Sequence, residues 1–152
     1  MSTIKAELKK SKYVEEPHLV MEIDGVDLDR IVQNSKPGSD EYIGLVSTLL
    51  PWFVNEKEGE WVWSRIYPAI GEGAIAPVLM CPDDLDLWCT LIVADIEVTE
   101  DEVLWKRIGL ETSAAQTIDE LCSQVEWFDI ASFSFSHDEY KGCVDSFLKT
   151  AD

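Results

Sequence analysis

The residues with the plainest capacity for chemistry are Asp83, Asp84 and Asp86, three carboxylates in four positions ahead of a long apolar run. Oxygen sets of this kind suit Mg²⁺ or Ca²⁺. The spacing is not that of an EF-hand loop, however, and no second acidic motif of catalytic spacing accompanies it. Aspartate also serves turns by accepting from backbone amides, so turn chemistry is the expectation here and no metal is assigned. Asp24, Asp27 and Asp29 form a second acidic run. In a strand, alternation would put Asp27 and Asp29 together on one solvated face.

The four cysteines, Cys81, Cys89, Cys122 and Cys143, contain no C-x-x-C pair, the spacing of zinc knuckles and redox sites. They are expected to be free thiols packed as small apolar groups. Only two histidines are present, His18 and His137. A nucleophilic pair of His137 with Cys143 or Cys122 is conceivable, but six positions along one helix would turn His137 and Cys143 to opposed faces. Gly-rich phosphate loops, G-x-S-x-G and H-E-x-x-H are absent, and Gly71-x-Gly73 is too short to count. No catalytic residue and no cofactor are assigned.

Aromatic residues give a different lead. Five of the six tryptophans (Trp61, Trp63, Trp88, Trp105 and Trp127) fall on expected strands, where core packing is their usual use. Trp61 and Trp63 are bordered by Glu56, Glu58 and Glu60. A tryptophan ringed by carboxylates suits a Lys- or Arg-rich protein surface. These five residues, with the acidic turn Asp83, Asp84 and Asp86, form the candidate partner-binding set.

The chain that must position them has 152 residues and a formal net charge of −18, the size of one domain. Such acidity argues against nucleic acid and anionic membrane as partners. No apolar run approaches the roughly 18–20 residues of a membrane span, and the opening residues lack a secretory apolar region, so a cytoplasmic setting is expected. Residues 1–12 hold four lysines (Lys5, Lys9, Lys10, Lys12) against Glu7, a local +3, while the rest holds 8 basic and 29 acidic groups. That basic arm could fold back on the acidic body, but a partly ordered start is the expectation, because termini fray unless something ties them down.

Pattern then predicts the elements. His18–Ile23 is a strand, Asp24-Gly25 a turn, and 26–32 a second short strand or turn. Ser39 caps a helix carrying Ile43, Val46, Leu49 and Leu50, stopped by Pro51. Residues 55–60 are a loop and 61–67 a strand. Residues 77–81 form a strand and Leu87–Val98 a central strand, apolar and then alternating, returned antiparallel by Val103–Ile108. Thr117-x-x-Glu120 opens a short helix with Leu121 and Cys122, and 125–135 is one strand. A capping box, Ser136 with Glu139, and a staple, Phe135 with Tyr140, start a last helix at His137 that buries Tyr140, Val144, Phe147 and Leu148. The whole reads as α+β: a mostly antiparallel sheet with two or three helices in a single domain.

The segment Leu79–Leu110, LMCPDDLDLWCTLIVADIEVTEDEVLWKRIGL, resembles the small bacterial immunity proteins that neutralise polymorphic or contact-dependent toxins. There a Cys-x-Asp-Asp turn precedes a central strand pair that ends in a Trp-x-Arg-Ile-Gly-like segment. The resemblance covers about a fifth of the chain, the span just quoted. It implies a cytoplasmic, noncatalytic protein that binds a basic toxin domain over its active site. A polyanion-gripping nuclease presents a basic cleft, toward which an acidic inhibitor is steered. The other readings are a noncatalytic adaptor and an enzyme with a dispersed carboxylate site.

Overall fold

The computed structural model describes residues 1–150. The fold is α+β, and every strand pairing among the described residues is antiparallel. The lysine-rich start is a full strand, β1 (Ile4–Lys9), paired with β2 (His18–Ile23) from Ile4↔Ile23 to Lys9↔His18. The expected partly ordered arm is thus corrected. Ile4 is buried, and Lys9 Nζ reaches Glu22 at 2.9 Å and Asp27 at 2.6 Å. Asp24-Gly25 makes the turn with positive φ at both residues, and Asp24 accepts the Thr3 amide at 2.9 Å.

The second strand expected there is only β3 (Val26–Asp27), after which the chain enters α1 (Leu28–Asn34). Leu28 and Val32, one turn apart, are the buried stripe that makes it a helix. Asp29 therefore leaves the solvated strand face assigned to it and accepts the Gly44 amide at 2.9 Å. The helix expected after Ser39 does not form. Gly44 sits at φ +98 with its α-carbon so close to Tyr13 that a Cβ would lie 2.5 Å from that ring. The run 45–50 is buried at every position, and it supplies the short β4 (Val46–Ser47) instead.

The largest correction concerns residues 55–67, expected as a loop and a strand. They form α2 (Glu56–Ile66), capped by Asn55, whose side chain accepts the Lys57 amide at 3.0 Å. Its buried stripe is Glu58, Val62 and Ile66, spaced one turn apart.

The large sheet runs β4, β5 (Gly73–Met80), β6 (Leu91–Val98), β7 (Val103–Glu111) and β8 (Val125–Trp127), with β9 (Phe133–Phe135) also on β7. The β6–β7 hairpin forms as the pattern predicts, although β6 begins at Leu91 rather than Leu87. The strand expected over 125–135 is two strands on one edge of β7. β8 faces Gly109–Glu111 and β9 faces Val103–Trp105, and the chain swings out between them. The Thr117 segment gives only a 3-10 turn over Ile118–Glu120, excluding Leu121 and Cys122. Thr117 hydrogen-bonds the Glu120 side chain there rather than a backbone amide.

The last helix, α3 (His137–Thr150), starts where expected, with Ser136 Oγ accepting the Glu139 amide at 3.2 Å and Phe135 packed on Tyr140. It buries Tyr140, Cys143, Val144 and Phe147, whereas Leu148 is 48% exposed. α3 lies against β1, and the Tyr140 ring meets Trp105 and Phe135 of the large sheet, so one core joins both sheets. No helix among the described residues is long and apolar enough to cross a membrane.

Candidate functional site

Helical rather than extended backbone at 56–66 redistributes the predicted partner-binding residues. Trp61 and Trp63 would share a face in a strand; in α2 they lie about 200° apart at roughly 100° per residue. Trp61 is half-buried under its own cation, the Arg65 guanidinium 4.8 Å above its ring. That contact supplies internally what a basic partner would bring. Trp63 instead lines an open groove of about 470 Å³ with Leu50, Pro51, Phe53, Glu56, Gly59 and Glu60. Phe53 packs against Gly59, where an added Cβ would meet its ring at 3.4 Å. Glycine inside a helix is costly, and here it lets the aromatic floor approach the helix.

Of the three glutamates, Glu58 is corrected. It is 8% exposed and its Oε1 accepts the Leu87 amide at 2.8 Å, so it ties α2 to the loop before β6 and forms no part of an acidic rim. Glu56 and Glu60 are exposed on the groove, and among the described residues neither forms an ion pair.

The acidic turn lies beside this helix. The Val54 amide donates to Leu85 O at 3.3 Å, next to the Glu58–Leu87 bond. Asp86 is spent on the turn itself, accepting from Trp88 N at 2.9 Å and Cys89 N at 3.2 Å. Asp83 and Asp84 are exposed. Two apolar side chains that the pattern did not single out as surface, Val54 (80% exposed) and Trp88 (46% exposed), flank these tethers. Trp88 was expected on a strand and stands in a loop.

The nucleophilic pair is not assembled. His137 Nε2 meets Thr99 O at 2.7 Å and its Nδ1 meets the Tyr67 hydroxyl at 2.7 Å. Because a carbonyl can only accept, Nε2 carries a proton, and in the neutral ring Nδ1 then accepts from Tyr67. Cys143 is buried, which pushes its thiol up to about 12, and Cys122 is likewise pushed up to about 11 by burial. Both are poor nucleophiles. All four cysteines are free thiols, but only Cys143 is packed in the core as expected. Cys81 and Cys122 are half-buried and Cys89 is exposed, which corrects the expectation of buried apolar packing there. Partial desolvation, then hydrogen bonding to Asp84, raises Cys89 to about 11.

Trp105 and Trp127 are on strands as predicted. Trp105 is fully buried, while Trp127 lies under the Arg107 guanidinium at 4.0 Å, itself paired with Asp95 at 2.8 Å. Comparison with family models, with curated proteins and with solved structures returns no match to this chain.

Proposed function

We propose that this protein binds a basic protein partner through the α2 groove, and that it is an immunity protein of the kind that blocks a nuclease-type toxin in the cytoplasm. The observation that carries the reading is the groove. Trp63 and Phe53 make an aromatic floor, and among the described residues Glu56 and Glu60 stand beside it without cations of their own. Such an arrangement matches the two needs of a steered, tight complex. Unpaired acid on a chain of −18 accelerates encounter with a basic cleft. Exposed ion pairs add only about 0–1 kcal/mol each, so affinity needs an apolar anchor that loses its water, and Trp63 is placed to provide one.

The test uses a basic nuclease-type toxin domain, sought in the reading frames that adjoin the one for this chain, with binding followed by stopped flow as ionic strength is varied. Association slows steeply with salt while dissociation changes little. Trp63→Ala loses about thirtyfold in affinity, the roughly 2 kcal/mol of a hot spot, and Glu60→Lys slows association. Trp61→Ala, by contrast, leaves affinity nearly unchanged. Failure of the toxin domain to bind at low ionic strength overturns the reading, as does wild-type binding by both the Trp63 and Glu60 variants.

A further inference from the structure

A separate cluster of ligating atoms lies at the mouth of the β5–β6 hairpin. Met80 and Leu91 are paired residues, so Cys81 and the stretch before Leu91 leave two neighbouring strands at the same level. The loop between them is closed by several contacts. The Leu85 amide donates to Cys81 O at 3.3 Å, Leu85 takes the left-handed φ of +51, and Asp86 accepts the amides of Trp88 and Cys89. Outer tethers hold Leu85 to Val54, just ahead of α2, and Leu87 to Glu58 within it. The result is that one ligand atom each from Cys81, Asp84 and Cys89 lies within 4.8 Å of the others.

We propose that Cys81, Asp84 and Cys89 form a Zn²⁺ site, with the fourth position open to water or to an external ligand. Two sulfurs and one carboxylate oxygen select the ion. Thiolates disfavour Mg²⁺ and Ca²⁺, and a hard carboxylate disfavours Cu(I), leaving zinc, which accepts mixed S/O tetrahedra. Zinc bonds of about 2.0–2.3 Å place ligand atoms roughly 3.5–3.8 Å apart, so the three side chains need draw in by only about 1 Å. Cys81 is half-buried while Asp84 and Cys89 are exposed, which leaves the ion a path in. The Cys-x₂-Asp-x₄-Cys spacing belongs to no C-x-x-C pattern, which is why the sequence predicts no metal here. The inference is independent of partner binding, since none of the three ligands lines the groove.

The test is titration of the full, reduced, metal-stripped chain with Zn²⁺ against a chromophoric chelator, and with Co²⁺ as a spectroscopic substitute. One equivalent binds, and Co²⁺ shows thiolate charge-transfer absorption with the intense visible bands of a tetrahedral ion. Cys81→Ser and Cys89→Ser each weaken binding by at least about a hundredfold, and Asp84→Asn by about ten- to a hundredfold. Asp83→Asn and Cys122→Ser change nothing. Circular dichroism checks each variant; should Cys81→Ser fail to fold, Cys89→Ser at its exposed position carries the test. The site is overturned if the reduced chain binds neither ion, or if the two serine variants bind as wild type does. A Cys81–Cys89 disulfide that forms in air at a rate zinc does not slow overturns it equally.

Discussion

The Tyr140 hydroxyl donates to the main-chain oxygen of Ile66 at 2.6 Å, so α3 supplies a partner for a carbonyl in the last turn of α2. Helix ends leave such carbonyls without intrahelical partners, and this one is buried. The same hydroxyl accepts from Trp105 Nε1 at 3.3 Å, and burial pushes the phenol well above its ordinary range. One side chain thereby locks two helices and the central sheet. Tyr140→Phe keeps the ring packing but strands both partners. It lowers stability by about 1–3 kcal/mol, the cost of an unsatisfied buried group, in urea unfolding with an unchanged m-value.

Glu58 makes the second cross-element tie. Glu58→Ala leaves the buried Leu87 amide without an acceptor and costs about 1–3 kcal/mol. Glu58→Gln retains a carbonyl acceptor and recovers most of that loss. Chemical denaturation of both variants checks it; equal destabilisation would show that the charge, rather than the acceptor, matters.

Asp29 gives a pH signature. Desolvation, offset in part by the Gly44 amide, raises its pKa above that of an ordinary aspartate. With the folded value raised, its contribution is fully present below the unfolded pKa and is lost as pH rises through the folded one. Asp29→Asn, which keeps an acceptor for Gly44, removes that loss. The variant gains stability relative to wild type at neutral pH, and the gap narrows as pH falls through the carboxylate range. Thermal melts from pH 3 to pH 7 measure it; a gap that widens toward acid refutes the assignment.

At Gly109 of β7 the backbone of β8 leaves no room for a side chain. A Cβ there would lie 2.5 Å from Glu126 O and 3.0 Å from Trp127 Cα, both fixed parts of the partner strand. Gly109→Ala therefore pushes β8 away and costs about 1–3 kcal/mol, as overpacking does. Hydrogen exchange rises at residues 125–127 while the β5–β6 pairing stays protected.

Local chemistry made part of this fold readable from sequence. The β6–β7 hairpin announced itself by a continuous apolar run that turns to alternation, and α3 by the Ser136–Glu139 box. Both signals lie within a few residues of what they specify. α2 was hidden because its buried stripe begins with Glu58, whose partner is Leu87, remote in sequence. Read without that partner, Glu58 looks like surface, and the tryptophans after it look like a strand. β1 did carry a local signal, the alternation of Ile4, Ala6 and Leu8 with Lys5, Glu7 and Lys9, but its lysines drew the reading toward charge. The groove was half legible: Trp63, Glu56 and Glu60 line it, while Leu50, Pro51 and Phe53 come from a preceding segment that only tertiary structure brings alongside. Cys81, Asp84 and Cys89 were each visible, yet their meeting depends on the Met80–Leu91 register.

The packing of α3 on β1 bears on the order in which the molecule assembles. β1 and α3 touch, so closing that contact fixes a loop that spans most of the described residues, and the entropy of doing so is repaid only once nearly everything between is in place. During synthesis β1 and β2 emerge before α3 and must wait for it. Until then the hairpin is two strands without the helix that covers it, a unit of marginal stability on its own. The β5–β6–β7 meander, whose pairings are all between neighbours, is the part able to form early. A refolding time course should accordingly show protection of β6 amides before those of β1, and mutations in α3 should slow the late phase while leaving the early one intact.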